Sequence, residues 1–557
     1  MKKIVLVLSS LLVFTACSLK NEYGIAAYTK PKNANDSLRA DTLNTDYAVY
    51  TFSNVDSRKL MEVAGDTLQN EKYNDGAKIV QRKSYNRSGA IAGWQSWYVI
   101  YNSTSKGIKY YYIRNVFSGK MLDAQSSAIN AQLQQSAQLN TGVDEQLWSL
   151  QRIGNTQNYR IINKANGLAV ENSKKSVDSI PVVLQTLNDS AVQRWTLSLQ
   201  PAVTYRDDQV VGFFNRNNPS LGSVAFDEGL SIPLEWGANK GKDLWITQDA
   251  WDGSALQSNN KFKCTDFFQY RNSVMIQPSR TDWNPNDTKN MTRVGSLQNR
   301  PKQIFDIIPN TEWAWPSAGV EIGNHVYVQC GEGNGLGPIV SQSLYDLTEA
   351  PNYLWSVKRT TPAGMTNEVQ INYSAGMVKD TVAGYVYVFG TMATSFGYTL
   401  NVYVARFPIT DPMTWTFWNG SSWATTPDSG NEASIASELG TAYVTYVKGK
   451  YVLVTMDQGF NCGDATRNIY VATSNSPTGA FTSRKEVYTI TEYLYGSYAR
   501  YYTVSIHPEF DNGHNELLVT YCLNFSGCAV NYCVNGFIDP YFYRVKGIRI
   551  PYNVIGL

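Results

Sequence analysis

The chain has 557 residues, too many for one hydrophobic core, so at least two domains are expected. With 41 Gly, 37 Tyr and 14 Trp beside only 17% charged residues, the composition suits many short strands and tight turns; it excludes a helical bundle and a disordered chain. Lys and Arg number 48 against 46 Asp and Glu, so no basic field exists to hold phosphates, and nucleic acid is excluded as a partner.

The N-terminus, "MKKIVLVLSSLLVFTACS", joins two lysines to an apolar and small-residue run from Ile4 to Ala16. That run is too short to span a bilayer, so residues 1–16 read as a signal peptide. The ending "FTAC" resembles a bacterial lipoprotein signal. The resemblance implies lipidation at Cys17 and, with Ser18 next, a place in the outer membrane or at the cell surface. Residues 17–45, polar and containing "KPKNANDS", read as a flexible tether.

A threefold repeat follows. Asn54, Asn115 and Asn163 each precede an acid by eight positions (Glu62, Asp123, Glu171). A Gln-x-Trp triplet then follows each acid, at 95–97, 146–148 and 193–195. Three such units of roughly fifty residues indicate a threefold all-β module over 46–200. These triplets resemble those of the ricin B-type lectins, which are β-trefoils. In that family the acid after the Asn segment holds sugar hydroxyls, which a carboxylate does by accepting two hydrogen bonds. Asp123 alone keeps the family's usual residue and is the candidate lectin site. Twelve positions before Trp148 and Trp195, where the family places an aromatic platform, stand Ser136 and Val183. The competing reading makes each Gln and Trp a core and hairpin residue only.

From 201 to 557, strand-like runs separated by Gly and Asn turns fall into about five groups: 209–277, 313–360, 370–418, 433–488 and 498–552. That spacing predicts a five-bladed β-propeller, with a sandwich as the alternative. In "DEGLSIPLEWGANKGKDLWITQDAWDG" two apolar runs flank a turn at Ala238–Lys242. Folding them antiparallel brings Asp227 and Asp249 to one edge of the sheet. Paired carboxylates suit glycoside hydrolysis, one as general acid and the other as nucleophile or base. The plain alternative is two turn-capping acids.

The pieces "DEGLSIPL", "LWITQD", "YRNSVMIQ", "WPSAGVEIGNHVYV", "SIHPEF", "LLVTYCLN" and "YRVKGIRI" resemble the five-bladed propeller family of bacterial endo-D-arabinanases. The resemblance implies an endo-acting hydrolase of furanose-rich polysaccharide with Asp227 and Asp249 as catalytic acids. Here the turn is longer, and Gln248 stands where the family has Gly. Arg271, Asn272, Trp315, His507, Asn524 and Arg544 are the candidate substrate-binding residues, with Trp313 a second stacking surface. Glu321 and Glu368 supply an alternative, because the related L-arabinan enzymes spread their acids over separate blades. A glycan-binding surface lipoprotein without catalysis is the competing class.

No cofactor or metal is expected. The three His lack the HExxH spacing and no Cys-x-x-Cys occurs. "GEGNGLG" does not open a helix, and "NPNDTKN" reads as an Asn-rich turn. Export permits disulfides, and "CLNFSGCAVNYC" puts three Cys within twelve residues, where one pair would pin the last blade's turn; which pair, if any, is not readable from sequence.

Overall fold

The computed structural model describes Leu43 and residues 48–557, except 88–89, 174–175, 189, 266–268, 296–299, 301, 336, 366–367, 395–398, 429, 460–465 and 528–531. The expected signal peptide, the expected lipidation site Cys17 and nearly all of the expected tether lie outside the described residues. The rest is almost entirely β-structure: a trefoil followed by a five-bladed propeller.

The trefoil closes on itself, its first strand Ala48–Asn54 pairing antiparallel with its last, Trp195–Gln200. The repeat read from sequence has a threefold physical meaning. Trp97, Trp148 and Trp195 are fully buried, and each indole Nε1 donates to the backbone carbonyl before its repeat's acid: Met61, Leu122 and Val170. Each triplet Gln donates from Nε2 to that acid, Gln95 to Glu62 at 2.7 Å, Gln146 to Asp123 at 3.3 Å and Gln193 to Glu171 at 2.9 Å. Asn54, Asn115 and Asn163 donate to carbonyls of the preceding repeat, the ring running from Asn54 back to Val192. Buried polar groups thus find partners at symmetric positions, which stabilises one register of the trefoil over its alternatives.

Five sheets make the propeller, and their innermost strands, Ser223–Pro233, Trp313–Ile322, Met377–Asp380, Thr441–Val447 and Ser497–His507, neighbour one another around the axis. Blades 1 to 5 are numbered in that order. The ring closes with a short strand from the domain's start: Tyr205–Arg206 pairs with Val545–Pro551 as the outermost strand of blade 5. Apolar side chains between blades 1, 2, 4 and 5 form one large cluster, from Leu230 and Ile232 to Val519 and Ile548.

Two expectations need correction. "VVGFFN" (210–215), which opens the first of the five strand-like groups, is not a strand: Asp208–Phe214 is an α-helix, started by Asp207, whose carboxylate accepts from the amides of Gln209 and Val210. It buries Val210, Phe213 and Phe214 against Trp245, Phe510 and Val545. Among the described residues the disulfide does not lie within the last blade's Cys-rich segment either. Cys264 of blade 1 bonds Cys533 of blade 5, with 5.8 Å between their Cα atoms, so it ties the two blades that flank the closure.

The two domains lock together through polar contacts. Asn70 of the trefoil donates to the Tyr493 carbonyl at 2.6 Å and accepts from the Tyr493 amide at 2.9 Å. Tyr73 meets Thr491, and Lys120 pairs with Asp208 at 2.9 Å. Gly119, at φ +75°, lets the chains approach so closely that a Cβ would sit 2.2 Å from the Arg206 carbonyl oxygen. Beneath this seam Arg206 ion-pairs with Glu492, both out of water, while its guanidinium lies 4.3 Å from the Tyr73 ring centroid.

Candidate active site at the channel mouth

Asp227 and Asp249 lie within strands, not at their ends. The hairpin ladder continues past them, through Phe226 opposite Ala250 and Ala225 opposite Trp251. What exposes these acids to each other is a break in register. Phe226 faces Ala250, but Glu228 faces Thr247 and Leu230 faces Ile246, so the strand bulges at 227–229. Glu228 there has φ +57°, a left-handed conformation uncommon outside Gly.

A second bulge stands across the blade seam. Tyr502 faces Cys522 and Val504 faces Tyr521, leaving Thr503 unpaired at φ +45°, an outlier for a β-branched residue. The two bulges are joined: the Tyr502 hydroxyl donates to Asp227 Oδ2 at 2.9 Å, and the Cys522 thiol donates to the Glu228 carbonyl at 3.0 Å.

Blade 2 supplies the opposite wall. Trp315 donates from Nε1 to Asp249 Oδ1 at 3.2 Å and stacks on Trp313 with centroids 3.8 Å apart and planes 7° from parallel. Arg271 donates to both carboxylate oxygens of Asp249, at 3.3 and 3.2 Å. Trp313 rests directly on Gly333, where a Cβ would lie 2.3 Å from its Cζ2. Gly333→Ala is therefore expected to cost about 1–3 kcal/mol through overpacking and to shift the indole fluorescence as the stack moves. Urea unfolding and emission spectra of the variant check both.

The two acids experience different fields. Burial, then the charge of Asp249, raises the Asp227 carboxyl well above its usual range, against the opposing hydrogen bond from Tyr502. Its Oδ1 is buried without a hydrogen-bond partner. Burial also raises Asp249, but Arg271 and the Trp315 indole hold it down to about 6. Near neutral pH one acid of the pair is protonated and the other ionised, the division of labour that acid–base chemistry needs.

Other candidates are placed elsewhere. Asn272 is a buried latch, donating to the carbonyls of Phe305 and Ala314 and accepting from the amides of Ile304 and Phe305. Arg544 is buried beneath blade 1, donating to the carbonyls of Val224 and Arg216. His507 sits at the far end of its strand, between Ser231 and Thr520, where burial lowers its pKa to about 3. None of these three lines the mouth. Asn524 does lie at that end, one residue beyond the Leu523–Tyr501 pair. Of the alternative acids, Glu321 accepts the amides of Glu235 and Trp236 at the opposite end of the channel, and Glu368 caps the amides of Gln370 and Ile371. Asp123, in the trefoil, accepts from Gln146 and from the Gln125 amide. Among the described residues no group of three or more His, Cys, Asp or Glu is placed to hold a metal ion.

Comparison with known proteins separates the two domains. Residues 93–185 match the family model described as ricin-type beta-trefoil lectin domain-like. Solved structures similar to the trefoil include a designed threefold symmetric protein, ThreeFoil, at 25% identity over 28% of this chain and 99% of that one, with a TM-score of 0.23. A ricin B-like lectin from Macrolepiota procera, solved with lactose, is 20% identical over 29% of this chain and 100% of its own, with a TM-score of 0.22. An exo-beta-1,3-galactanase from Clostridium thermocellum is 25% identical over 28% of this chain and 30% of its own, with a TM-score of 0.23. No curated protein matches the chain. The propeller, at residues 207–548 and more than half of the chain, matches one family model, and the chain thus belongs to the family described as Domain of unknown function (DUF5005).

Proposed function

We propose that the propeller is a glycoside hydrolase acting within a furanose-rich polysaccharide, D-arabinan in the first instance, and that the trefoil binds glycan. The observation that supports the first part is the pair of buried carboxylates at the channel mouth, Asp227 raised by burial and by the charge of Asp249, and Asp249 held lower by Arg271 and Trp315. Asp227 acts as general acid, protonating the leaving oxygen. Asp249 acts from the other side of the scissile bond, as nucleophile or as the base for water. The parallel indoles of Trp313 and Trp315 offer a face for a sugar ring to stack upon. In this reading the chain is exported and held at the cell surface by lipid on Cys17.

The test is incubation of the protein with D-arabinan, L-arabinan, galactan and mannan, followed by chromatography. Internal cleavage predicts a ladder of oligosaccharides from D-arabinan. No release from any of the four, with retention on a D-arabinan column, favours a glycan-capture protein instead. For the trefoil, Asp123→Ala in the full chain is expected to weaken retention on a glycan column by at least ~10-fold, the worth of one charge-assisted hydrogen bond. Unchanged retention would remove Asp123 from the binding site.

A further inference from the structure

Glu228 was not marked by any sequence signal, yet the structure gives it an unusual place. On the innermost strand of blade 1, even-numbered side chains such as Leu230 and Ile232 go into the apolar packing between blades. A carboxylate following that pattern at 228 would enter the same packing. The bulge and the left-handed backbone of Glu228 rotate it out of that row. It remains partly exposed, while its Oε2 is buried with no hydrogen-bond partner. It follows Asp227 directly, and its carbonyl accepts the Cys522 thiol of blade 5 at 3.0 Å. On the innermost strand of its blade, beside Asp227 and tied to blade 5 through that thiol, Glu228 stands at the mouth.

We infer that Glu228 is a third member of the site, contacting a sugar hydroxyl of the bound glycan next to the bond that Asp227 and Asp249 act upon. This rests on the hydrolase reading and adds a residue and a chemical demand to it. Three carboxylates cannot all be ionised at such close quarters. Burial and the neighbouring Asp227 push the Glu228 carboxyl well above its usual range, with only Gln248 opposing, so it stands neutral and offers an O–H. A neutral carboxyl at the mouth donates its O–H to a hydroxyl or ether oxygen and carries no charge to attract a cation. An anionic sugar would be repelled by the ionised member of the Asp pair. The site therefore selects an uncharged glycan, and a uronic acid is rejected.

Because a neutral Glu and a Gln have nearly the same shape and both donate, the decisive comparison is Glu228→Gln against Glu228→Ala. With D-arabinan as substrate, Glu228→Gln is expected to keep kcat/KM within about threefold of the wild type, and Glu228→Ala to lose at least ~30-fold, the scale of a buried donor removed from a hydroxyl. Thermal unfolding of both variants separates this from misfolding. Equal activity of Glu228→Ala and wild type overturns the inference and leaves the hydrolase reading intact. Equal damage in both variants overturns it too, because it shows that an ionised carboxylate is needed. If the wild type neither cleaves D-arabinan nor changes its Trp fluorescence on adding it, both the inference and the hydrolase reading fall.

Discussion

Asp227→Asn and Asp249→Asn are each expected to lose at least ~10³-fold in turnover of D-arabinan, the scale of a missing general acid or base, while folding as well as the wild type or better. The stability half of this expectation follows from proton linkage. Both acids have folded pKa values above the roughly 3.9 of an unfolded Asp, so the native state binds protons that the unfolded chain has released. Stability is then highest below the unfolded value and falls as pH rises, for Asp249 between about 4 and about 6. At neutral pH these carboxylates are a cost of the fold, and an Asn removes it. Thermal unfolding at pH 7 should give each variant a Tm equal to or above that of the wild type. Two turn-capping acids would behave oppositely: their loss would lower Tm and spare any activity.

The second large effect lies at the domain seam. Arg206 and Glu492 are both buried, and Tyr521 and Tyr541 add hydrogen bonds to the pair. Nearby, burial pushes the Lys546 amine well below its usual range, which disfavours a second cation beside the pair. Arg206→Met removes one partner of the buried pair and leaves Glu492 without it in a dry site, which is expected to cost about 3–5 kcal/mol. The double variant Arg206→Met/Glu492→Gln leaves no charge behind and is expected to recover part of that loss. Urea unfolding of the wild type, the single and the double variant checks this. A single-variant loss below about 1 kcal/mol, as for a surface pair, would show that water reaches the seam. Arg206 also belongs to the strand that closes blade 5, so the same ion pair couples trefoil docking to closure of the propeller.

The trefoil was legible because its repeat is carried by residues whose job is local. A Gln that reaches its own repeat's acid and a Trp that reaches the carbonyl before it must recur at fixed spacing. The blades were legible from strand spacing, since antiparallel neighbours are joined by short turns. The helix at Asp208–Phe214 was not, because an apolar run of that length has no visible period; Asp207 at its start was the available signal. Asp227 and Asp249 could be brought together from the hairpin alone. Glu228 and Tyr502 could not, since their placement depends on two bulges meeting across a seam between chain segments 275 residues apart. Asn272, Arg544 and His507 were misplaced for the same reason that made them noticeable. Polar residues inside strand segments are as readily buried latches between blades as ligands, and sequence does not say which face of a blade they take.

The most direct test of the account is the pH dependence of reducing-end release from D-arabinan by residues 18–557 of the chain. Release as oligosaccharides is expected, with kcat/KM falling on the acid side through an apparent pKa near 6 as the carboxylate pair takes up its second proton. Substantial release with no acid limb near that value would contradict the assignment of Asp249. No release at any pH between about 4 and 9, with the glycan still bound, would contradict hydrolysis itself and leave a protein that captures its polysaccharide without cutting it.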